Sequence, residues 1–165
     1  MKDDLGNRMK LYESVTRTYL TRRTPVIIRI DGKAFHTFTK GFQKPFDMIL
    51  MNAMWETTKY LCSNIQGCKI GYTQSDEISL LLTDYESIDT CAWFDNNIQK
   101  IASVSASMAT LSFNKAYRNL VEGKVILPVS IDFMPDEKQN QYIKKYNTYH
   151  SKKDVAIFDS RVFAI

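Results

Sequence analysis

The feature that most constrains the fold is a β-branched run at positions 26–32, which follows Pro25 and closes on Asp31-Gly32. Side chains alternate between the two faces of a strand, so the even-numbered positions share one face, and all of those before the glycine are apolar. Arg29 and Asp31 share the other face with Ile27. Because the apolar face has to be covered, the run predicts a strand with one buried face and an acid at its end.

The remaining sequence predicts helices and a hairpin around this strand. Asp47 is placed to cap a helix that runs to about Asn64, and Ser75-Asp76 is typical of the tip of a β-hairpin. The other predictions are a leading helix with Leu5, Met9, Tyr12, Val15 and Tyr19 at helical spacing, hairpin strands at Lys69–Gln74 and Glu77–Thr83, a long helix from about Asp89 to Arg118, strands at Val125–Ile131 and Val155–Ile165, and a polar surface segment at Met134–Lys153. This order predicts an α+β fold in which an antiparallel or mixed sheet has helices packed on one side.

Length and composition predict a single folded domain over residues 1–165. The chain is 44% hydrophobic and 24% charged, which excludes collagen-like and disordered chains. No apolar stretch approaches the roughly 20 residues that cross a bilayer, and the N-terminus lacks a signal-peptide pattern. We therefore expect a cytoplasmic protein without a membrane segment. The net charge of +4 permits a polyanionic partner, and Cys62, Cys68 and Cys91 are expected to be free thiols.

Two acids are expected to meet at the edge of the sheet. Asp31 ends a strand and Asp76 lies at a hairpin tip, and neighbouring strand ends in one sheet bring such positions together. Paired carboxylates repel unless a divalent cation lies between them, and Mg²⁺ prefers one or two carboxylates with water and phosphate oxygens. This is the arrangement of a polymerase palm. The simpler interpretations are an Arg29–Asp31 ion pair and an ordinary turn role for Asp76.

Basic residues follow the first acid. Lys33, His36, Lys40 and Lys44 fill the loop after the strand, and they can bind a triphosphate or be solvated surface cations. Lys100 precedes a stretch of small residues in the long helix, where a cation is placed to reach a phosphate across the sheet. The aromatic residues of the same loop are expected to anchor it in the core, although one of them can stack on a base; they are Phe35, Phe38 and Phe42.

Four stretches, in order and at matching spacing, resemble the tRNA-His guanylyltransferase family, nearest to its bacterial and archaeal Thg1-like branch. They are Arg29-Ile30-Asp31-Gly32-Lys33-Ala34-Phe35-His36-Thr37-Phe38, Lys44-Pro45-Phe46-Asp47, Gly71-Tyr72-Thr73-Gln74-Ser75-Asp76-Glu77-Ile78-Ser79, and Lys100 with Ser103, Ala106 and Ser107. The resemblance implies a palm-like fold and template-dependent addition of nucleotides to the 5′ end of tRNA, in the 3′–5′ direction. In this reaction ATP or GTP activates a 5′-monophosphate, and the 3′-hydroxyl of an incoming nucleoside triphosphate attacks the activated end.

The resemblance also implies roles for single residues. Asp31 and Asp76 would hold two Mg²⁺ ions with the backbone carbonyl of Gly32, and Glu77 would support this cluster. The remaining residues implied to contact the nucleotide are Arg29, Lys33, Ala34, Phe35, His36, Lys44, Ser75 and Lys100. The implied partners are tRNA, nucleoside triphosphates and further copies of the chain in a dimer or tetramer.

Two features depart from the family pattern. The chain ends at Ile165, before the C-terminal motifs of the family, and Thr73 stands where many relatives have Gly. The leading hypothesis is repair of the tRNA 5′ end. The alternatives are addition of one G at position −1 of tRNA-His, a catalytically idle NTP- and RNA-binding module of a longer chain, and a nucleotide cyclase, which shares the two-Asp arrangement.

Overall fold

The computed structural model describes residues 4–165. The helices are α1 Asp4–Val15, α2 Phe35–Phe38, α3 Met48–Asn64, α4 Ile98–Lys124 and α5 Asp136–His150, and the strands are β1 Val26–Gly32, β2 Cys68–Gln74, β3 Glu77–Leu82 and β4 Phe158–Ala164. Short 3₁₀ turns occupy Trp93–Asn96 and Ile131–Phe133.

The four strands form one antiparallel sheet in the order β2-β3-β1-β4. The hairpin of β2 and β3 places β3 beside β1, and β4 returns from the far end of the chain to the other side of β1. The α+β prediction is therefore confirmed. The central position of β1 puts its last residues between two neighbouring strands.

One face of the sheet is packed against α3 and α4. The apolar positions predicted for β1, among them Ile28 and Ile30, are fully buried together with Ile78 and Leu80 of β3. The other face carries residues such as Arg29, Asp31 and Arg161, which remain partly or fully exposed. The sheet thus separates the core from a polar surface.

Small residues let α4 approach the sheet, as its sequence predicts. Ser105 and Ala109 are fully buried, and the Ser105 hydroxyl lies 2.8 Å from the hydroxyl of Ser160 in β4. The Thr110 hydroxyl accepts a hydrogen bond from the backbone N–H of Phe158 at 3.1 Å. These contacts fix the register of α4 along β4.

The capping of α3 by Asp47 is confirmed, because its carboxylate accepts hydrogen bonds from the N–H groups of Ile49 and Leu50. The predicted start of α4 at Asp89 is wrong. The helix begins at Ile98 because residues 94–96 adopt positive φ angles, which an α-helix does not tolerate, and Asn97 caps the first turn instead. It ends at Lys124, beyond the predicted Arg118.

The predicted strand at Val125–Ile131 is wrong. The chain is irregular there and enters a 3₁₀ turn, since Pro128 lacks a backbone N–H and the carbonyl of Val125 is bound by the His150 ring at 2.9 Å. The polar segment Met134–Lys153 is a surface segment as predicted, but most of it is the helix α5.

The leading helix is shorter than its predicted pattern and does not pack on the core. It ends at Val15, and none of its residues 4–15 is buried. The three cysteines are free thiols, as expected. No helix within residues 4–165 is long and apolar enough to cross a membrane.

Candidate active site

The two acids predicted to meet lie together at the end of β1. In the sheet register, Asp31 pairs with Glu77 of β3 on one side and with Asp159 of β4 on the other. Asp76 sits in the turn that precedes β3, and its backbone carbonyl accepts a hydrogen bond from the N–H of Gly32 at 3.2 Å. This bond holds the hairpin tip against the strand end.

The acids of this cluster repel one another. Burial raises the pKa of the Asp31 carboxyl, and the negative charges of Asp76 and Asp159 raise it further. Glu77 acts in the same direction, whereas the positive charge of Arg161 lowers the pKa of Asp31. A cation between the carboxylates would relieve this repulsion.

The donor set fits Mg²⁺ that is shared with a phosphate. Among residues 4–165, no cluster of three or more His, Cys, Asp or Glu side chains is placed to hold a metal ion by itself. Asp31 and Asp76 supply two carboxylates, and Mg²⁺ prefers one or two of these together with water and substrate phosphate oxygens. A metal ion at these two acids would therefore be completed by water and phosphate oxygens.

The ion pairs of the cluster join different residues from the Arg29–Asp31 pair that the sequence allowed. Arg29 pairs with Glu77 on β3, so the alternative of an Arg29–Asp31 ion pair is wrong. Asp159 is paired with Arg161 on its own strand at 3.5 Å. Glu77 and Asp159 each have a basic partner, which leaves Asp31 and Asp76 as the two acids without an ion pair in the described cluster.

The turn before β3 presents Ser75 and Asp76 together. Ser75 has a positive φ of 56°, and its hydroxyl donates to the Asp76 carboxylate at 2.9 Å. Ser75 is exposed. Asp76 is thus both a turn residue and a member of the acid cluster, so the two interpretations of this position are compatible.

The loop after β1 is fixed by its aromatic residues. Phe35, Phe38 and Phe42 are buried, which confirms that they anchor the loop in the core and leaves none of their rings exposed for stacking on a base. Phe35 can face a nucleotide only through its backbone. Ala34 before it has a positive φ of 56°, which turns the chain into the short helix α2.

The implied nucleotide contacts Lys33, His36 and Lys44 are all exposed on this loop. The His36 ring is 3.0 Å from the Thr37 hydroxyl, and Lys44 precedes a cis peptide bond to Pro45. A groove of about 390 Å³ lies between the end of the loop and the hairpin tip. Its lining residues are Pro45, Phe46, Asp47, Leu50, Met51, Met54, Trp55, Thr73, Gln74 and Ser75.

Lys100 is not brought to the acid cluster within this chain, and its implied contact with a phosphate stays a prediction. It lies in the first turn of α4, on the covered side of the sheet, with its ammonium 5.9 Å from the Phe94 ring centroid. The Thr110 hydroxyl, which accepts from the N–H of Phe158 beside Asp159, marks the part of α4 that lies near the acids. Thr110 is ten residues after Lys100, a distance of roughly 15 Å along the helix axis.

Sequence reasoning missed Asp159 and Arg161. The strand Val155–Ile165 was predicted, and alternation along it places both residues on one face. The sequence carries no signal for the register, which pairs Asp159 with Asp31 from more than a hundred positions away.

Comparison with known proteins points to a single family. The model of the family described as Thg1, tRNAHis guanylyltransferase, matches residues 6–165. A bacterial Thg1-like protein in complex with ATP has 46% sequence identity and a TM-score of 0.76 over 98% of this chain and 58% of that one. Its complex with GTP gives the same identity and TM-score over 98% of this chain and 64% of that one.

A curated relative from Schizosaccharomyces pombe, tRNA(His) guanylyltransferase, is 32% identical over 107 residues, or 64% of this chain and 38% of that protein. The chain therefore spans between 38% and 64% of the length of these relatives.

Proposed function

The chain belongs to the tRNAHis guanylyltransferase (Thg1) family, and we propose that it is a template-dependent nucleotidyltransferase that adds nucleotides to the 5′ end of tRNA in the 3′–5′ direction. The observation that carries this proposal is the pair Asp31 and Asp76, held together by the hydrogen bond from Gly32 N–H to the Asp76 carbonyl. The bacterial relative in complex with ATP and with GTP supports nucleoside triphosphates as substrates.

The proposed roles of the acids follow from their partners. Asp31 and Asp76 would hold two Mg²⁺ ions with the carbonyl of Gly32, and such ions neutralise phosphate charge and polarise the reacting phosphoryl oxygens. Glu77 already faces Arg29, so its role is to balance the charge of the cluster. In our proposal, the Asp31 and Asp76 carboxylates are the protein's side-chain ligands to these ions.

The loop and the turn would hold the nucleotide. Lys33, His36 and Lys44 extend from the loop, and Ser75 extends from the turn, so all four can approach a triphosphate that is bound at the acids. The neighbouring groove of about 390 Å³ is lined mainly by apolar side chains, and the buried Asp47 is one of its polar lining residues. A nucleobase fits this lining, because an apolar wall takes its faces and a few polar groups take its edge.

The experiment is a single-nucleotide extension assay. A 5′-monophosphorylated tRNA without its first nucleotide is incubated with ATP, all four NTPs, Mg²⁺ and the chain. Addition of the nucleotide complementary to the template base opposite the gap supports templated repair. Addition of G to tRNA-His alone supports the −1 reaction. Asp31→Ala and Asp76→Ala should each abolish transfer, while Asp132→Ala, an exposed acid outside the cluster, should not.

The same preparation distinguishes the alternatives from other classes. Metal-dependent binding of NTP without transfer would indicate an idle binding module, and a cyclic product from NTP without RNA would indicate a cyclase. Normal transfer by either Asp variant would refute the assignment of the acids.

We further propose that the active form is a homo-oligomer, a dimer or a tetramer. The exposed apolar side chains of α1 support this, because large exposed apolar patches mark interfaces. These side chains are Leu5, Met9, Leu11, Tyr12 and Val15, each at least 50% exposed. Light scattering measures the mass directly. A cytoplasmic location, where tRNA substrates are available, stays a prediction.

A further inference from the structure

A second groove, distinct from the one at the hairpin tip, lies between α5 and the loop after α2. Its volume is about 370 Å³. One wall is the segment Gly41–Gln43, and the other is a face of α5 formed by Gln141, Lys144, Lys145 and Thr148. These four positions recur at the helical period, so they project from α5 in the same direction.

Buried contacts fix the two walls relative to each other. The phenol of Tyr149 on α5 donates a hydrogen bond to the buried carboxylate of Asp47, which caps α3. The Tyr149 ring stacks on Phe42 of the loop at 4.6 Å, and its carbonyl accepts from the Tyr117 hydroxyl at 3.1 Å. Buried contacts behind the groove therefore hold its two walls in place.

The groove is surrounded by unneutralised positive charge. Lys144 and Lys145 line the groove from α5, and Lys40 and Lys44 flank the loop wall. Lys152 follows the helix, where its ammonium donates a hydrogen bond to the Thr37 carbonyl at 3.1 Å. Within residues 4–165, none of these five lysines is in an ion pair.

The cations just beyond the groove are neutralised. Lys153 pairs with Glu122 at 2.9 Å, and Arg118 pairs with Asp154. Burial lowers the pKa of Lys152, and the nearby positive charge of Lys40 lowers it further. An unneutralised cluster beside neutralised neighbours indicates a site for an anionic partner.

We propose that this groove binds the phosphate backbone of the RNA substrate, at nucleotides next to the 5′ end that is extended. The inference rests on the proposed function. The loop that carries Lys40 and Lys44 begins at the strand end of Asp31, so an RNA with its 5′ end at the acids can follow the loop to α5.

The lining favours RNA over an acidic protein. Apart from Gly41 and the buried rings of Phe42 and Tyr149, every residue that lines the groove carries an amide, hydroxyl or ammonium group on its side chain. Phosphates and sugars are bound by such donors, whereas the centre of a protein interface needs exposed apolar side chains.

The test is RNA binding by the variant Lys144→Glu/Lys145→Glu. Its dissociation constant for the 5′-monophosphorylated tRNA is measured by fluorescence anisotropy over a series of salt concentrations. We expect binding to be weaker by about 10-fold or more at low salt. The slope of the logarithm of the binding constant against the logarithm of salt concentration should be smaller in magnitude by roughly 1.4 to 1.8, because two phosphate contacts are lost. The matched control is Lys10→Glu/Lys115→Glu, whose exposed lysines lie on α1 and α4. Both variants take the net charge from +4 to zero.

The outcomes separate this inference from the proposed function. Equal loss of RNA affinity in the two variants, or no loss in the first, would overturn the groove as the binding site. Competition by polyglutamate as strong as by RNA at equal charge would overturn the choice of RNA. Loss of RNA binding with an unchanged dissociation constant for ATP supports the groove, even where no nucleotide is transferred.

A second variant controls for misfolding of the Glu variant. Lys144→Gln/Lys145→Gln removes the two charges but keeps polar side chains on exposed positions of α5, so the fold should be retained. It should also reduce the salt slope, with a smaller loss of affinity than the Glu variant. An unchanged slope in a folded Gln variant contradicts the proposal.

Discussion

Gly32 is the residue of the site at which no side chain fits. A Cβ atom built there would lie 2.3 Å from the ring of Phe35, which is itself buried against Phe113 and Phe158. We expect Gly32→Ala to lower the free energy of unfolding by about 1–3 kcal/mol, because the buried ring has to move. Urea denaturation measures this loss.

The matched control for this substitution is Gly123→Ala. A Cβ at Gly123, near the end of α4, meets no atom within 4 Å. The control should raise the free energy of unfolding by about 0.5–1 kcal/mol, since Ala is favoured over Gly in a helix. A similar loss in both variants would show that crowding by Phe35 is not the cause.

The crowded charge at Asp31 predicts a pH-dependent gain in stability on its removal. The pKa of Asp31 in the folded protein is raised above its ordinary value of 3.8. The stabilising contribution of its protonated form is therefore complete below pH 3.8 and is lost as the pH rises through the raised pKa. In the presence of EDTA, Asp31→Asn should therefore raise Tm at pH 7 by roughly 1–3 °C, a small effect because the site is partly solvated.

The same gain should disappear at pH 3, where the carboxyl is protonated in both folded and unfolded protein. Scanning calorimetry at the two pH values measures the difference, with Asp132→Asn as the exposed control. An equal gain at both pH values would assign it to the new amide and not to relief of repulsion.

At the scale of elements, one hydrogen bond joins α5 to the start of α3. Burial and the hydrogen bond to Asp47 raise the pKa of Tyr149 to about 12. Removal of the hydroxyl in Tyr149→Phe leaves the buried Asp47 carboxylate with one donor fewer, which should cost about 1–2 kcal/mol of unfolding free energy at pH 7. Chemical denaturation gives this value, and Tyr142→Phe, at an exposed tyrosine of the same helix, should cost less than about 0.5 kcal/mol.

The pH dependence of this loss follows from the same pKa. Because the pKa of Tyr149 is higher in the folded protein than its ordinary value of 10.0, its stabilisation is complete below pH 10 and is lost as pH rises through about 12. The difference between wild type and Tyr149→Phe should shrink over that range. A difference in unfolding free energy that stays constant over this range would show that the pKa of Tyr149 is not raised in the folded protein.

The elements that sequence could predict are those with a local signal. The strand ending at Asp31 and the hairpin around Ser75 have clear alternation and turn residues, and α3 has a capping acid. In contrast, α5 has one buried residue, Tyr149, in a polar sequence, so no apolar stripe distinguishes it from a loop. The pairing of Asp159 with Asp31 depends on long-range register, which no local pattern encodes.

At the scale of the whole molecule, one face of the sheet is packed in the core and the other is open to solvent and carries the acids. The covered face gives β1 its fixed position, since Ile28 and Ile30 are fully buried. The same alternation sends Arg29 and Asp31 to the open face, where water and a charged ligand have access. The acids therefore lie on the open face beside a rigid core, and substitutions there should affect ligand binding more than folding.

The helix α1, unlike α4, buries none of its residues, so we expect its amides to exchange with solvent much faster. None of its residues 4–15 is buried, whereas α4 buries Ile101, Phe113 and Tyr117. An isolated helix of this length is marginal in water, so the amides of α1 should exchange close to the rate of an unfolded peptide, while those of the α4 interior need global unfolding.

Exchange followed by mass spectrometry at several protein concentrations distinguishes a free α1 from one that is paired. If the protein is a monomer under the conditions used, fast exchange of α1 should be independent of concentration. If further copies cover the apolar side chains of α1, protection should rise with concentration together with the mass measured by light scattering. Protection of α1 in a sample that is monomeric by mass would contradict the described packing, because it requires a partner for this helix within the same chain.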